Sequence, residues 1–245
     1  MTTAPLSADT IRNFMYASTA TVSMQMMKRG FRNVAINGVK PLNPKAVRLV
    51  GPAYTLRYIP SREDLDKAPT PADPPTAQRA AIEETPAGHV LVIGTEGNTR
   101  SGTLGDILAL RLKVRGVAGV LSDGAMRDSP VIGKFDFPVY CTAAAAPPSM
   151  ANLHPVEVQT PVGICGVPVY PGDVIVADED GAIVVPRHLA DEVARDSFEQ
   201  ERLEKFVAIR IGQGREIPGV YPPNDQTKKD YAEWIKAGEP SDWPK

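Results

Sequence analysis

The chain contains 245 residues, 42% of them hydrophobic, and its 27 basic and 29 acidic side chains give a formal net charge of -2 at pH 7. This length is sufficient to bury a full core, and the balanced charge argues against the basic surface that nucleic-acid binding requires. No stretch approaches the roughly 20 apolar residues that span a bilayer, and the N-terminus lacks a cationic segment followed by an apolar run. We therefore expect a cytoplasmic protein that binds neither nucleic acid nor a membrane.

The first third of the chain predicts a helix and a strand, followed by an irregular segment. Apolar residues at helical spacing favour one helix from Ser7 to about Arg29, and a strand is predicted at 47–57. Residues 60–88 contain six prolines and at most a short helix at 76–84. We interpret this segment as a surface insertion, which is either a lid or a plain connection.

The clearest pattern is a strand, helix and strand unit in the middle of the chain. Residues 90–94 form a continuous apolar run, and a loop rich in Gly, Ser and Thr leads from it into a predicted helix at 106–115. A second strand at 117–121 ends in the polar loop 122–128, and such a crossover implies parallel neighbouring strands. The helix is expected to face the core with Ile107, Leu110 and Val114, and with Leu108 and Leu112 beside them.

The second half of the chain is rich in short predicted strands. They lie at 138–141, 162–169, 174–178 and 182–185, and Asp180-Gly181 between the last two is a strong hairpin signal. Both cysteines, Cys141 and Cys165, are predicted to be small buried hydrophobes within such strands. A helix at 189–211 ends one α/β domain over 1–211, and an extension over 212–245 is expected to pack on its own or a neighbouring subunit.

The crossover brings three charged residues to one edge of the predicted sheet. A helix of about ten residues descends ~15 Å and a strand of about five residues climbs ~16 Å, so the chain returns to the level from which it left. Asp106, at the helix start, should therefore lie beside Arg127 and Asp128, just past the strand end. Open α/β sheets bind ligands at this carboxyl edge.

The loop Gly102-Thr103-Leu104-Gly105 predicts an anion site, because unpaired amides and the dipole at a helix N-terminus favour a small carboxylate. Plainer interpretations exist for the charged residues. An acid in a first helical turn commonly stabilises the helix, and an adjacent Arg127-Asp128 pair could be a surface ion pair. Convergence of all three residues beside the loop favours a functional site.

These residue types suit cleavage of the C3–C4 bond in a 4-hydroxy-2-oxo acid. The reaction must take the proton from the C4 hydroxyl and hold the departing enolate of pyruvate. Asp106 would position a water as base, Arg127 would place a positive charge near the enolate oxygen, and Asp128 would anchor a divalent metal. Because the three histidines have no zinc-type spacing and no lysine stands out as a Schiff-base former, we predict Mg²⁺ or Mn²⁺.

The stretch 90–141 resembles the family that joins 4-hydroxy-4-methyl-2-oxoglutarate aldolase to the regulator of ribonuclease activity A. The aldolases carry an Asp, any twenty residues and then Arg-Asp, and Asp106, twenty residues and Arg127-Asp128 match this pattern without a gap. The other resembling residues are Gly102-Thr103-Leu104-Gly105, Gly116-Val117-Ala118-Gly119-Val120, Asp123-Gly124-Ala125-Met126 and Pro138-Val139.

The resemblance implies an α-β-β-α sandwich with a central mixed or parallel sheet, assembled as a homotrimer or homohexamer with active sites between subunits. It also implies Mg²⁺ or Mn²⁺ held by Asp128, the pyruvate carboxylate on the amides of the 102–105 loop, and often oxaloacetate decarboxylase activity. A glutamate from the last helix of the neighbouring subunit completes the family's metal site. Glu204 is the candidate for it, and Glu201 is the reserve.

Two features depart from the compact aldolases: the 60–88 insertion and the long segment after residue 212. They suggest a long-chain branch whose substrates are sugar-acid derivatives. One alternative is a ribonuclease regulator without catalysis, but that branch of the family lacks an acid at the position of Asp106. Another is a 2-oxo acid dehydratase or decarboxylase, which passes through the same enolate.

Overall fold

The computed structural model describes residues 5–66 and 74–242, and this part of the chain contains seven α-helices. The middle of the proline-rich segment and Trp243 lie outside the described residues. No helix in the described ranges is both long and apolar enough to cross a bilayer. The helices are α1 (Ala8–Tyr16), α2 (Thr19–Lys28), α3 (Ala77–Glu84), α4 (Asp106–Val114), α5 (Ser129–Ile132), α6 (Ala190–Gly212) and α7 (Asp225–Lys236).

Nine of the thirteen described strands form one mixed sheet. Its order is β1-β13-β12-β3-β4-β5-β7-β2, and β9 also pairs with β3. Strands β3, β4, β5 and β7 run parallel, whereas the other pairings are antiparallel. The strands are β1 (Ala35–Ile36), β2 (Lys40–Pro41), β3 (Leu49–Pro60), β4 (Val90–Gly94), β5 (Gly119–Ser122), β6 (Ala125–Met126), β7 (Val139–Cys141), β8 (Ala143–Ala144), β9 (Leu153–Val158), β10 (Val162–Ile164), β11 (Val167–Val169), β12 (Val174–Asp178) and β13 (Gly181–Val185).

The long strand β3 joins the two halves of the sheet, and its side chains reach three apolar cores. Tyr54 and Leu56 lie in the core beneath α3, α4 and α5, whereas Val50 lies in the core beneath α1, α2 and α6. Leu49 and Ala53 enter a central core to which both halves of the sheet contribute. The two halves of the sheet thus form two layers around the central core, and helices cover the outer side of each half. The predicted α-β-β-α arrangement is confirmed.

The single N-terminal helix predicted from Ser7 to Arg29 is wrong, because the structure has two helices there. Helix α1 begins as predicted, with the Ser7 side chain accepting from the amide of Thr10 at 3.0 Å. The chain then breaks at Ala17, and Ser18 caps α2. A second serine that can accept from helical amides offers the backbone a new start, which the apolar spacing alone does not show.

The predicted strand at 162–169 is a hairpin of β10 and β11. Cys165 and Gly166 form its turn, with φ angles of 48° and 83°. Two consecutive positive φ angles are typical of the tight turns that join antiparallel strands. Cys141 is buried as expected, but Cys165 is exposed at this turn, so its predicted burial is wrong.

Helix α4 begins at the predicted residue and ends one residue earlier than predicted, at Val114. Leu108 and Leu112 contact the core as expected, but the predicted stripe beside them faces away from it. Ala109 and Leu112 are buried, whereas Ile107 is 71% exposed, Leu110 44% and Val114 70%. The helix is apolar around most of its circumference, so its pattern does not specify a single buried side. The exposed residues Ile107, Leu110 and Val114 are called the α4 apolar face below.

The segment after residue 212 folds back onto α6 of its own chain through α7. The Trp234 ring is fully buried and lies 5.5 Å from Phe206 of α6, centroid to centroid. Its indole nitrogen donates to the carbonyl of Pro240 at 2.8 Å, which satisfies the buried polar atom. The division of the chain at residue 211 stays a prediction.

Candidate functional site

Three loops that follow β4, β5 and β7 meet at the carboxyl edge of the sheet. Strand β6, after β5, pairs in parallel with β8, after β7. Gly102, in the loop after β4, forms bridges with both Ala125 and Pro148. The loops are thus tied together by backbone hydrogen bonds, and the residues they carry are held at fixed positions relative to one another.

The loop of residues 102–105 has two amides that are used and two that are free. The amide of Gly102 donates to the carbonyl of Pro147 at 2.9 Å, and that of Thr103 donates to the carbonyl of Ala125 at 2.8 Å. The amides of Leu104 and Gly105 donate to no described residue. Gly105 is the N-cap of α4 and supplies no capping side chain. The start of this helix therefore remains open to an anion.

Asp106 begins α4 at this open end and is half-buried. Its Oδ1 atom accepts from the amide of Ile107 at 2.8 Å. It forms no ion pair with any described residue. The second carboxylate oxygen is thus available to accept a hydrogen bond from a ligand or a water.

The predicted neighbours of Asp106 lie against the same loop. The amide of Arg127 donates to the carbonyl of Leu104 at 2.8 Å. Asp128 has a left-handed φ of 53°, and its Oδ2 lies 2.8 Å from where a Cβ on Gly105 would be. A side chain at Gly105 would therefore collide with this carboxylate. The structure brings the loop, Asp106, Arg127 and Asp128 together, and their chemical roles stay predictions.

The side chain of Arg127 has no hydrogen-bond or ion-pair partner among the described residues. Its Nε atom is buried and has no hydrogen-bond partner, and the guanidinium forms no ion pair with any described residue. A Cβ on Gly102 would overlap the Cγ of Arg127 and lie 2.6 Å from its amide nitrogen. Glycine at this position is thus needed for the arginine to pack. An unpaired buried donor is costly unless a ligand satisfies it.

The carboxylates at this edge fit a hard divalent cation. Within the described ranges, no group of three or more His, Cys, Asp and Glu side chains could hold a metal ion. Asp106 and Asp128 offer carboxylate oxygens beside the loop. Mg²⁺ keeps several waters and is commonly bound through one or two carboxylates, so this donor set suits Mg²⁺ or Mn²⁺ better than zinc.

The two glutamates predicted to complete a metal site lie on α6. Glu201 accepts from the amide and the hydroxyl of Ser18, the N-cap residue of α2, at 2.8 and 2.7 Å. Burial would raise the pKa of Glu201, but these hydrogen bonds hold it below its ordinary value. Glu204 accepts at 2.8 Å from Gln200, a neutral partner on its own helix. Of the two carboxylates, Glu204 therefore forms fewer hydrogen bonds within its own chain.

The sequence analysis did not predict a role for Asp123. Its carboxylate connects the loop that follows β5 to the loop that follows β4. Its Oδ1 accepts from the amide and hydroxyl of Thr95, at 2.7 and 2.9 Å, and its Oδ2 accepts from the amide of Gly97 at 2.9 Å. Burial raises the pKa of Asp123 despite these hydrogen bonds. Its position directly after a buried strand, at the start of the loop that carries Arg127, was the available signal.

We expect Asp123→Asn to lower the free energy of unfolding by about 1–3 kcal/mol, because its amide group would face a donor and leave a buried amide unsatisfied. Urea denaturation followed by circular dichroism measures this change. The exposed Asp136→Asn is the control and should leave the midpoint unchanged. Equal midpoints for both variants would show that Asp123 does not support the loop.

Comparison with known proteins identifies the family. Residues 19–184 match the RraA-like family, described as Aldolase/RraA. The chain is 29% identical over 195 residues to Protein DlpA of Legionella pneumophila, covering 79% of this chain and 29% of DlpA. It is 38% identical over 109 residues to 4-hydroxy-4-methyl-2-oxoglutarate aldolase of Thermus thermophilus, covering 44% of this chain and 65% of that enzyme.

A solved structure agrees with this assignment. Streptomyces coelicolor RraAS2, described as an unusual member of the RNase ES inhibitor RraA protein family, superposes with a TM-score of 0.75 at 33% identity. The alignment covers 85% of this chain and all of RraAS2. The family match spans the mixed sheet and all three loops of the candidate site. The chain therefore belongs to the RraA-like, or Aldolase/RraA, family.

Proposed function

We propose that this protein is a divalent-metal-dependent lyase that cleaves a short 4-hydroxy-2-oxo acid into pyruvate and a second carbonyl compound. The observation that carries the proposal is the packing of the Arg127-Asp128 loop onto the open start of α4. The elements that this contact joins carry two carboxylates, the Arg127 guanidinium and two amides that donate to no described residue. Relatives named as 4-hydroxy-4-methyl-2-oxoglutarate aldolases support the reaction class.

The substrate carboxylate would bind to the loop of residues 102–105. The free amides of Leu104 and Gly105, with the positive end of the α4 dipole, favour an anion of this size. The amides of Gly102 and Thr103 are already used within the protein. We therefore assign carboxylate binding to the second half of the predicted loop.

Bond cleavage requires a base on one side of the substrate and a positive charge on the other. Asp106, through a water, would accept the proton of the C4 hydroxyl as the C3–C4 bond breaks and the new carbonyl forms. The electron pair of that bond passes to pyruvate, which leaves as its enolate, and C3 of the enolate then takes the proton that the water and Asp106 removed from the C4 hydroxyl. Arg127, whose Nε has no partner in the described part of the chain, would stabilise the enolate oxygen.

Asp128 would hold the metal ion, with waters in most of its remaining coordination positions. Mg²⁺ or Mn²⁺ bound there would act as a Lewis acid toward the 2-oxo group. The left-handed backbone of Asp128 turns its carboxylate over Gly105 and toward the start of α4. The strain of this conformation is the kind that functional sites retain.

We propose that the protein works as a homotrimer or homohexamer, with Glu204 of a neighbouring subunit reaching the metal site. The α4 apolar face supports this assembly, because it begins one residue after Asp106 and lies exposed in a single chain. Among the residues that the structure describes, Glu204 belongs to no group of His, Cys, Asp and Glu side chains that could hold a metal ion. A second copy would therefore have to bring it to Asp128.

We expect purified protein to release pyruvate from a 4-hydroxy-2-oxo acid or from oxaloacetate only when Mg²⁺ or Mn²⁺ is present. Coupling to lactate dehydrogenase, with and without EDTA and over a panel of such acids, measures this activity. The panel should include sugar-acid derivatives and aromatic-ring breakdown products. Turnover that survives chelation would contradict the metal role.

A binding protein that regulates a ribonuclease is the second candidate. The similarity to RraAS2, over all of that chain, supports it. Absence of pyruvate release across the panel, together with tight binding to an RNase E-type ribonuclease, would favour this function. If the protein decarboxylates or dehydrates a 2-oxo acid without aldol cleavage, the proposed site would still hold, but the proposed reaction would be wrong.

A further inference from the structure

Helix α3, near the end of the proline-rich segment, contacts the loop of residues 102–105 through Gln78. Gln78, in the first turn of α3, donates from Nε2 to the carbonyl oxygen of Thr103 at 2.6 Å. The hydroxyl of Tyr58, a fully buried side chain of β3, lies 3.5 Å from the same oxygen. Burial raises the pKa of this phenol, so the group stays protonated and can donate.

The Thr103 carbonyl belongs to the same peptide unit as the free amide of Leu104. A peptide bond is planar and trans, so its C=O and N–H groups point in opposite directions. Holding the Thr103 oxygen therefore fixes the direction of the Leu104 N–H. A hydrogen bond to the oxygen also polarises the unit and strengthens the N–H as a donor.

The next peptide unit is held in the same way. The amide of Arg127 donates to the Leu104 carbonyl at 2.8 Å, and this carbonyl shares a peptide unit with the free amide of Gly105. In each of the two peptide units that contain a free amide, the carbonyl thus accepts a hydrogen bond from a group elsewhere in the chain. Arg127 donates to the Leu104 carbonyl from its backbone, and Gln78 donates to the Thr103 carbonyl from its side chain.

Helix α3 has other anchors, so Gln78 is not needed to hold it in place. Ala81 and Ile82 are buried in the core, and Glu84 accepts from the hydroxyl of Tyr54 at 3.0 Å. Glu83 pairs with Arg111 of α4 at 2.7 Å. The hydrogen bond from Gln78 is therefore directed at the loop, and its loss should leave the helix docked.

We propose that Gln78 is a positioning residue that aims the Leu104 amide at the substrate carboxylate, which gives helix α3 a role in substrate binding. This inference rests on the proposed function. Gln78 contacts the loop and not the reacting atoms. Its loss should therefore weaken the binding of any 2-oxo acid carboxylate and leave the chemical step largely intact.

The test compares Gln78→Met and Gln78→Glu with Glu84→Gln as a matched control on the same helix. Pyruvate affinity is measured by calorimetry with Mg²⁺ present, and KM and kcat are measured by the coupled assay. Gln78→Met, which keeps the length but lacks the donor, should weaken pyruvate binding and raise KM by roughly three- to tenfold, the effect of one lost hydrogen bond. Its kcat should change by less than about threefold on the same reasoning.

Gln78→Glu has the same shape as the native residue and places a negative charge beside the Thr103 oxygen, so its affinity loss should be at least as large. Glu84→Gln should bind pyruvate as the unchanged protein does. Affinities within twofold of the unchanged protein for both Gln78 variants, or a loss of kcat at constant KM, would overturn the inference while leaving the proposed function intact. If the wild-type protein neither binds pyruvate nor releases it from any substrate, both the inference about Gln78 and the proposed function would be overturned.

Discussion

Asp106→Asn is expected to lower kcat/KM for pyruvate release by about 10²- to 10⁴-fold, the range typical of a lost general base. An asparagine keeps an oxygen that can accept from the amide of Ile107, so the start of α4 should stay intact. It cannot take a proton from a water, and the C4 hydroxyl therefore loses its acceptor. The coupled assay measures the rate, and circular dichroism confirms that the helix is retained.

The matched control is Asp225→Asn, because Asp225 is also the first residue of a helix and is exposed. That variant should lose only the small contribution of an acid to the helix dipole and keep full activity. If Asp106→Asn retains normal turnover, its carboxylate is a helix stabiliser and the base lies elsewhere. A shared loss in both variants would point to helix stability as the cause.

Arg127→Ala should depress kcat by about 10²- to 10³-fold, as expected for one preorganised donor to a developing negative charge. The buried Nε of the guanidinium has no partner within the described ranges, so it is available to a ligand. Because the backbone amide of Arg127 still donates to Leu104, the loop should keep its shape. Single-turnover and steady-state kinetics with the best substrate of the panel measure the effect.

Arg115→Ala controls for the removal of a large, partly buried arginine. Its Nε is also buried without a partner, but the residue lies at the opposite end of α4 and pairs with Glu83. It should lose some stability and keep its activity. Near-normal rates in Arg127→Ala would remove this arginine from the mechanism, and equal losses in the two variants would indicate a general packing defect.

Much of the local structure could be predicted because it depends on short-range rules. The apolar run of β4, the start of α4 at Asp106 and the bounds of β12 all agree with the expected patterns. Side-chain spacing and turn residues decide these elements within a few positions of the chain. The two N-terminal helices were missed because an apolar stripe continues across the break that Ser18 creates.

The candidate site was predicted in outline for the same reason. A crossover of helix and strand returns the chain to one edge of the sheet, and its lengths can be counted from residues. The matching arrangement of Asp106, Arg127 and Asp128 follows from that geometry and from the family resemblance. The resemblance is supported by the match over residues 19–184.

The sequence by itself determined the crossover, the order of its charged residues and the glycines that allow close backbone approach. Only the tertiary structure decided which amides of the 102–105 loop have no partner among the described residues, that Gln78 and Asp123 form hydrogen bonds with the loops that carry the candidate site, and that the α4 apolar face points outward. The physical reason is one of range. The spacing of residues determines the structure formed by close neighbours in the chain. A hydrogen bond to a carbonyl from a residue 25 positions away depends on tertiary packing, and so does the buried side of a helix that is apolar around most of its circumference.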